Sequence, residues 1–146
     1  MSTIGIEPLR PADRSGWQQL ARGYRDFYET PTTDAEFEAA WQRLNAGGAV
    51  HGLGARIDGR LVGIAHYLMH ASTWADSVCY LQDLFTDPVQ RGAGVGSALI
   101  EAVAQIAKRS GCQRFYWLTQ EHNATARSLY DKLARHHGFL RYDHPL

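Results

Sequence analysis

The chain has 146 residues, 45% hydrophobic and 21% charged, a length at which one domain buries about 70% of its unfolded surface. Fifteen basic residues balance fifteen acidic ones, so no charge excess points to nucleic acid or to a membrane surface. Cys79 and Cys112 fit no metal or redox spacing, the N-terminus carries no apolar stretch of signal-peptide length, and no run of about 18 apolar residues occurs. The expectation is a soluble protein of a reducing, cytoplasmic compartment.

Residues 3–9 read as a short strand closed by Pro8 and Pro11. Asp13 stands where a cap belongs, and Trp17, Leu20, Ala21, Tyr24 and Tyr28 then recur at helical spacing. Pro31, Thr32 and Thr33 break that helix. Asp34 opens a second one, whose Phe37, Ala40, Trp41 and Leu44 share a face until Gly47-Gly48. Residues 49–57 and 60–70 flank Asp58-Gly59, a two-residue hairpin signal, and residues 77–86 add a third strand before Pro88. A helix follows to about Arg109, with Val95, Leu99, Ala102, Val103 and Ile106 facing inward. Residues 113–120 read as a strand, Asn123 caps a last helix reaching His137, and residues 139–143 read as a terminal strand. The order β-α-α-β-β-β-α-β-α-β predicts a single α/β (α+β) domain over residues 1–146. Its mixed, mostly antiparallel sheet should have six to seven strands, four flanking helices and one crossover.

Between the third meander strand and its helix lies Arg91-Gly92-Ala93-Gly94-Val95-Gly96-Ser97. Glycine costs about 1 kcal/mol against alanine inside a helix, so propensity does not explain it where a helix must nucleate. The glycines sit one residue too close for a dinucleotide fingerprint, and no Lys-Ser or Lys-Thr follows as a phosphate-binding P-loop requires. What remains is an arginine beside free backbone N–H groups at the positive end of a helix, which suits a pyrophosphate. The same glycines would also serve a tight strand-to-helix corner.

A second motif lies 27 residues beyond Gly96: Asn123, Ala126 and Tyr130 in N-x-x-A-x-x-x-Y spacing, with Arg127, Leu129 and Lys132 interleaved. Together with RGAGVGSALI, these residues resemble the GNAT superfamily of acetyl-CoA-dependent N-acetyltransferases. YLQDLFTDP and YWLTQEHN resemble its subgroup of yeast Hpa-type and diamine (spermidine/spermine) N-acetyltransferases. The resemblance implies acetyl-CoA as co-substrate and no metal. It implies that the backbone of Leu84, Phe85 and Thr86 pairs with the pantetheine arm. The N–H groups of Arg91, Gly92, Ala93, Gly94, Val95, Gly96 and Ser97 would cradle the pyrophosphate. Asn123, with Ala126 beside it, would meet the pantetheine, and Tyr130 would sit at the thioester sulfur. It also implies that the fourth and fifth strands splay apart, with residues 115–118 lining the split, and that the terminal strand region pairs two copies into a homodimer. The chain departs from the family in two places. Four residues, Ala134 to His137, precede Gly138-Phe139 and are expected to lengthen the last helix by about one turn. Gln82 replaces the glutamate of the related diamine enzymes, so a base assigned there does not carry over.

Acyl transfer to an amine needs a neutral nitrogen, a polarised thioester carbonyl and a stabilised thiolate. Tyr130 is the candidate donor to the sulfur. With reference values of about 10 for tyrosine and 8.5 for a thiol, full proton transfer is uphill by about 2 kcal/mol, which favours a hydrogen bond or late donation. Candidates for the base are Asp83, on the opposite face from Gln82, and Glu121 at the end of the fifth strand, with His66 and His70 on the neighbouring strand. Tyr24, Phe27, Tyr28, Glu29, Trp74 and Gln82 are the candidates to line the acceptor side, an aromatic and acidic setting that suits a cationic amine. The acceptor is a small-molecule amine or a lysine side chain. No histidine pair has metal-ligand spacing. Two other function classes stand beside the enzyme: a non-catalytic acyl-CoA sensor, which Gln82 favours and Tyr130 disfavours, and a nucleotide-binding protein, which the glycine spacing disfavours.

Overall fold

The computed structural model describes residues 3–146. Five strands form one sheet in the order β1 (Ile4–Pro8), β2 (Val50–Ile57), β3 (Arg60–Ser72), β4 (Ala75–Thr86) and β5 (Phe115–Trp117). All neighbours run antiparallel except β4 and β5, which are parallel and joined by the crossover helix α3 (Val95–Arg109). The β2–β3 turn has Asp58 and Gly59 both at positive φ, 52° and 78°, the geometry that matches a hairpin to the twist of its strands.

Two helices cover one face of the sheet. On α1 (Arg14–Phe27) and α2 (Asp34–Asn45), Trp17, Leu20, Ala21, Phe37 and Trp41 pack against Ile64 and Phe85. The start of α2 is fixed by Thr33, whose hydroxyl accepts from Glu36 N–H at 3.1 Å, while the Glu36 carboxylate accepts from Thr33 N–H at 3.0 Å. Asp13 precedes α1 without a side-chain cap bond. Its buried carboxylate takes Arg10 N–H at 2.7 Å and the Arg56 guanidinium at 2.5 Å. On the other face α3 buries Val95, Leu99, Ile100, Val103 and Ala107, and α4 (Ala124–Leu133) leans Leu129, Tyr130 and Leu133 on the same core. No helix among the described residues is long and apolar enough to cross a membrane.

The C-terminal part differs from the sequence expectation. Among the described residues the sheet has five strands rather than six or seven, and residues 139–143 form none. α4 ends at Leu133, and Ala134 is already extended at φ −151°, ψ 179°, so Ala134 to His137 do not prolong the helix. β5 spans three residues rather than eight. For residues 139–143 the physical reason is that strand preference expresses itself through a partner, and the tail has none in the single chain. Phe139, Leu140 and Tyr142 stand 86%, 72% and 89% exposed.

Candidate active site

Cys79, Tyr80 and Leu81 pair with Phe115, Tyr116 and Trp117, and there the pairing of β4 with β5 stops. On its other side β4 stays paired to β3 as far as Gly63↔Thr86. The backbone of residues 82–86 is thus held along one edge and free along the other. A split results, lined by Tyr24, Tyr28, Leu81, Gln82, Leu84, Trp117, Leu118 and Tyr130.

The register of β4 slips inside this split. His66 faces Asp83 and Tyr67 faces Leu81, leaving Gln82 without a partner, which is a β-bulge. The extra residue resets the alternation. Leu81 and Leu84 both touch the α3 core, while Asp83 and Phe85 turn toward α1. Simple alternation along the sequence sets Asp83 opposite Gln82; Gln82 is instead the bulged residue, and Asp83 lies opposite Leu84, on the side where Tyr24 stands. The Asp83 carboxylate meets His66 Nδ1 at 2.8 Å and lies close enough to the Tyr24 hydroxyl for its charge to act on it. Gly23, beside Tyr24, lets α1 approach this closely, since a Cβ there would lie 2.8 Å from the Phe85 ring. Burial, then the Asp83 charge and hydrogen bond, push the Tyr24 hydroxyl far above the ordinary phenol value, and burial and Asp83 raise Tyr28 as well.

Tyr130 enters the split from α4. Its ring sits edge-on to Trp117, with centroids 5.4 Å apart. Burial, helped by Tyr28, pushes its pKa up to about 12, so the hydroxyl stays protonated and can only donate to an anion. Two turns before it, Asn123 caps α4, its Oδ1 accepting from Ala126 N–H at 3.4 Å. The capping bond uses the amide oxygen and leaves the Asn123 NH₂ group free to donate.

The corner before α3 is built for positive φ. After a 3-10 turn at Pro88–Gln90, Gly92 and Gly94 take φ of 87° and 86°, and a Cβ at either would meet nothing within 4 Å. Neither glycine is there to clear a protein neighbour, so the space in front of the turn is open. Gly94 caps α3 without a side chain, and the first intrahelical bond is donated by Ala98 to the Gly94 carbonyl at 3.0 Å. The N–H groups of Val95, Gly96 and Ser97 therefore point out of the helix start with no backbone partner in it. The Val95 side chain is buried in the core, and a Cβ at Gly96 would meet the Leu129 side chain of α4 at 3.4 Å, so α4 packs close over the turn. Arg91 lies beside this turn with its guanidinium over the Phe85 ring at 5.8 Å. An acyl-CoA fits these features: an edge of free backbone for an extended amide arm, and a helix N-terminus for its pyrophosphate. The buried hydroxyl of Thr119, two residues beyond β5, has no partner.

Other sequence candidates lie apart. Trp74 is 92% exposed at the tip of the β3–β4 hairpin, roughly 20 Å along the strand from Leu81 at about 3.3 Å per residue, and does not line the split. Glu121 is exposed on the turn into α4, and its carbonyl accepts from Arg127 at 2.9 Å. Glu29 is exposed at φ 52° where α1 ends, next to Tyr28 and near the mouth. Phe27 is 52% exposed and stacks edge-on with Tyr28. His70 has both ring nitrogens engaged, by Ala71 O at 2.9 Å and Tyr116 Oη at 2.8 Å. Among the described residues no group of three or more His, Cys, Asp or Glu is placed to hold a metal. Sequence reasoning missed Trp17 as a polar partner of His66 and missed the bulge at Gln82. The bulge left a trace, because apolar residues at 79 and 81 are followed by one at 84 instead of 83.

Comparison with known proteins accords with this geometry. The Acetyltransferase (GNAT) family profile matches residues 17–134. The D-amino-acid N-acetyltransferase HPA3 of Saccharomyces cerevisiae is 32% identical over 139 residues, covering 90% of this chain and 84% of that one. The thialysine N-epsilon-acetyltransferase of Sus scrofa is 37% identical over 73 residues, which is 50% of this chain and 43% of the relative. Among solved structures, AAC(6')-Iy in complex with the bisubstrate analog CoA-S-monomethyl-acetylneamine superposes with a TM-score of 0.85 at 19% identity. It covers 99% of each chain and shares the fold.

Proposed function

The chain belongs to the GNAT family of acetyltransferases, and we propose that it transfers acetyl from acetyl-CoA to the primary amine of a small molecule by direct attack in a ternary complex. Residues 1–146 form the catalytic unit in this reading. The carrying observation is the split beyond Leu81 and Trp117, where free β4 backbone, Tyr130 and Tyr24 converge from three elements, with Asp83 beside Tyr24. The relatives named for D-amino acids and thialysine act on small molecules that carry a primary amine, which agrees with a narrow, tyrosine-lined mouth.

Acetyl-CoA supplies the activated acetyl thioester. Leu84, Phe85 and Thr86 hold its arm through backbone bonds, helped by the Asn123 amide, while the turn from Arg91 to Ser97 holds the pyrophosphate. On the acceptor side Asp83 binds the ammonium between Tyr24 and Tyr28 and takes one of its protons. The neutral nitrogen then attacks the thioester carbonyl, the C–N bond forms, the C–S bond breaks, and the proton still on nitrogen ends on sulfur. With the Tyr130 phenol at about 12 and a thiol at about 8.5, complete proton donation by Tyr130 would be uphill by ~5 kcal/mol. Tyr130 therefore stabilises the departing thiolate through a hydrogen bond. Gln82, exposed on the bulge, contributes a neutral contact to the acceptor, and Glu29 a solvated carboxylate at the mouth.

Two further features belong to the same reading. The exposed Phe139, Leu140 and Tyr142, together with the free edge of β5, suit exchange with a second copy, which gives a homodimer. Free Cys79 and Cys112 suit the cytoplasm. The activity is tested by thiol release from acetyl-CoA against D- and L-amino acids, thialysine, polyamines, aminoglycosides and a lysine peptide. Turnover with a small amine supports the reading, and release with the lysine peptide alone, or with none of them, removes it.

A further inference from the structure

Trp17 is 1% exposed in the α1 core, yet its indole has a polar partner. Trp17 Nε1–H donates to His66 Nε2 at 2.9 Å, and His66 Nδ1 lies 2.8 Å from Asp83 Oδ2. An indole nitrogen can only donate. Nε2 of His66 must therefore be the unprotonated nitrogen, and the single ring proton sits on Nδ1 and is donated to Asp83. A second proton would have to be added at Nε2, where two N–H donors would then face each other across the same 2.9 Å. Trp17 has little room to yield, since Trp41 and Phe37 pack its ring at centroid distances of 5.1 and 6.4 Å.

The partner's charge matters as much as its position. An arginine, a lysine or an imidazolium beside Asp83 would cancel its charge, and an incoming ammonium would find a satisfied ion pair. A neutral N–H donor fixes the carboxylate's direction and leaves its charge intact. The Tyr24 hydroxyl beside the same carboxylate is neutral too. Arg141, whose charge reaches Tyr24 and Tyr80, is exposed and already paired with Asp143 at 3.0 Å. The group Trp17–His66–Asp83 thus holds one carboxylate beside Tyr24, which lines the split, with neutral hydrogen-bonding groups around it and no counter-ion within it.

We propose that His66 is a positioning residue of the acceptor site, locked by Trp17 as the neutral Nδ1–H tautomer so that Asp83 meets the acceptor ammonium with its charge uncancelled. This rests on the reading of Asp83 as the ammonium-binding group. It also removes His66 from the candidates for the base, since its free lone pair is spent on Trp17.

Long-range ¹H–¹⁵N spectra of the whole protein labelled at histidine nitrogens test the lock directly. His66 should show a protonated Nδ1 and an unprotonated Nε2 at pH 7. A protonated Nε2, alone or as imidazolium, would overturn the proposal. Kinetics test its consequence. His66→Leu removes the donor to Asp83 and should raise KM for the amine by roughly tenfold or more and lower kcat with it, since the same carboxylate takes the ammonium proton, while leaving the acetyl-CoA KM nearly unchanged. His66→Asn, which keeps an N–H donor toward Asp83, should restore most of the amine KM. Trp17→Phe frees Nε2, admits the second proton, and should raise the amine KM together with the appearance of an imidazolium signal. Acetyl-CoA affinity and melting temperature report whether each variant folds. A raised amine KM in Asp83→Asn with none in folded His66→Leu would sink the positioning role alone. An unchanged amine KM and kcat in Asp83→Asn would sink the acceptor-site reading beneath it, whatever tautomer His66 shows.

Discussion

Leu81 and Trp117 are the last residues that join β4 to β5, and the backbone beyond them is bonded on the β3 side only. Amides of residues 82–86 that face away from β3 should therefore exchange with solvent in the free protein. Cys79 N–H, already donated to Arg114 O at 2.8 Å, should be protected throughout. Adding acetyl-CoA should slow exchange in the first group and leave the second unchanged. Hydrogen exchange that shows no protection between Gln82 and Thr86 would place the cofactor arm elsewhere.

The α3 start carries a charge test. Gly94→Asp and Gly94→Asn introduce side chains of equal size at φ 86°, so both bear similar backbone strain and differ chiefly in charge. Asp should lower acetyl-CoA affinity at least tenfold more than Asn, because a carboxylate would face the pyrophosphate across the helix N-terminus. Calorimetric titration of the two variants measures the difference, and equal affinities would mean that no phosphate lies at this turn.

Asp13 predicts a pH dependence of stability. Burial alone would raise its pKa, but the Arg56 hydrogen bond, the Arg10 N–H and the charges of Arg56 and Arg10 together hold it below the usual carboxylate value. The folded pKa lies below the unfolded one, so Asp13 contributes stability that is full above about pH 4 and is lost as pH falls through the folded pKa. Asp13→Asn should be less stable than the parent at pH 7, by about 1–3 kcal/mol, since the largely buried Arg56 loses its short partner and keeps Glu7 at 3.9 Å. The gap should narrow in acid. Urea unfolding at pH 7 and pH 3 checks this, and a gap that does not narrow would contradict it.

Much of the chain's organisation is legible in its residues because it rests on local signals. Asp58-Gly59 sets a turn whatever packs on it, Thr33 and Glu36 write their own helix start, and Asn123 caps α4 at the place its side chain predicts. The glycines at 92 and 94 read as a special corner for the same reason. Other features depend on contacts remote in sequence. Trp17 meets His66 across 49 residues, and no periodicity announces a tryptophan as a hydrogen-bond donor inside an apolar stripe. The tail reads as a strand by composition, but a strand is completed by its neighbour, and residues 134–146 leave α4 without one. The bulge at Gln82 lies between these cases: the slip from Leu81 to Leu84 is visible, whereas the turn of Asp83 toward Tyr24 follows only once α1 is in place.

The uncovered tail makes assembly testable. Light scattering at tens of micromolar protein should give the mass of two chains. Phe139→Asp combined with Tyr142→Asp, at positions exposed in the single chain, should shift it toward one chain without lowering the melting temperature of the domain. A parent protein that is monomeric at that concentration would end the idea.

The claim that acetyl transfer takes place at the Tyr130 end of the split is tested most directly by Tyr130→Phe. The variant keeps the ring that packs on Trp117 and loses only the hydroxyl. With a turned-over amine at saturation, kcat should fall by about 10²–10³-fold while the Kd for acetyl-CoA stays within about twofold, the pattern of an interaction made as the C–S bond breaks. Loss of acetyl-CoA affinity with kcat unchanged would make Tyr130 a binding residue, and no change in either would place the chemistry away from it; both results would contradict the account.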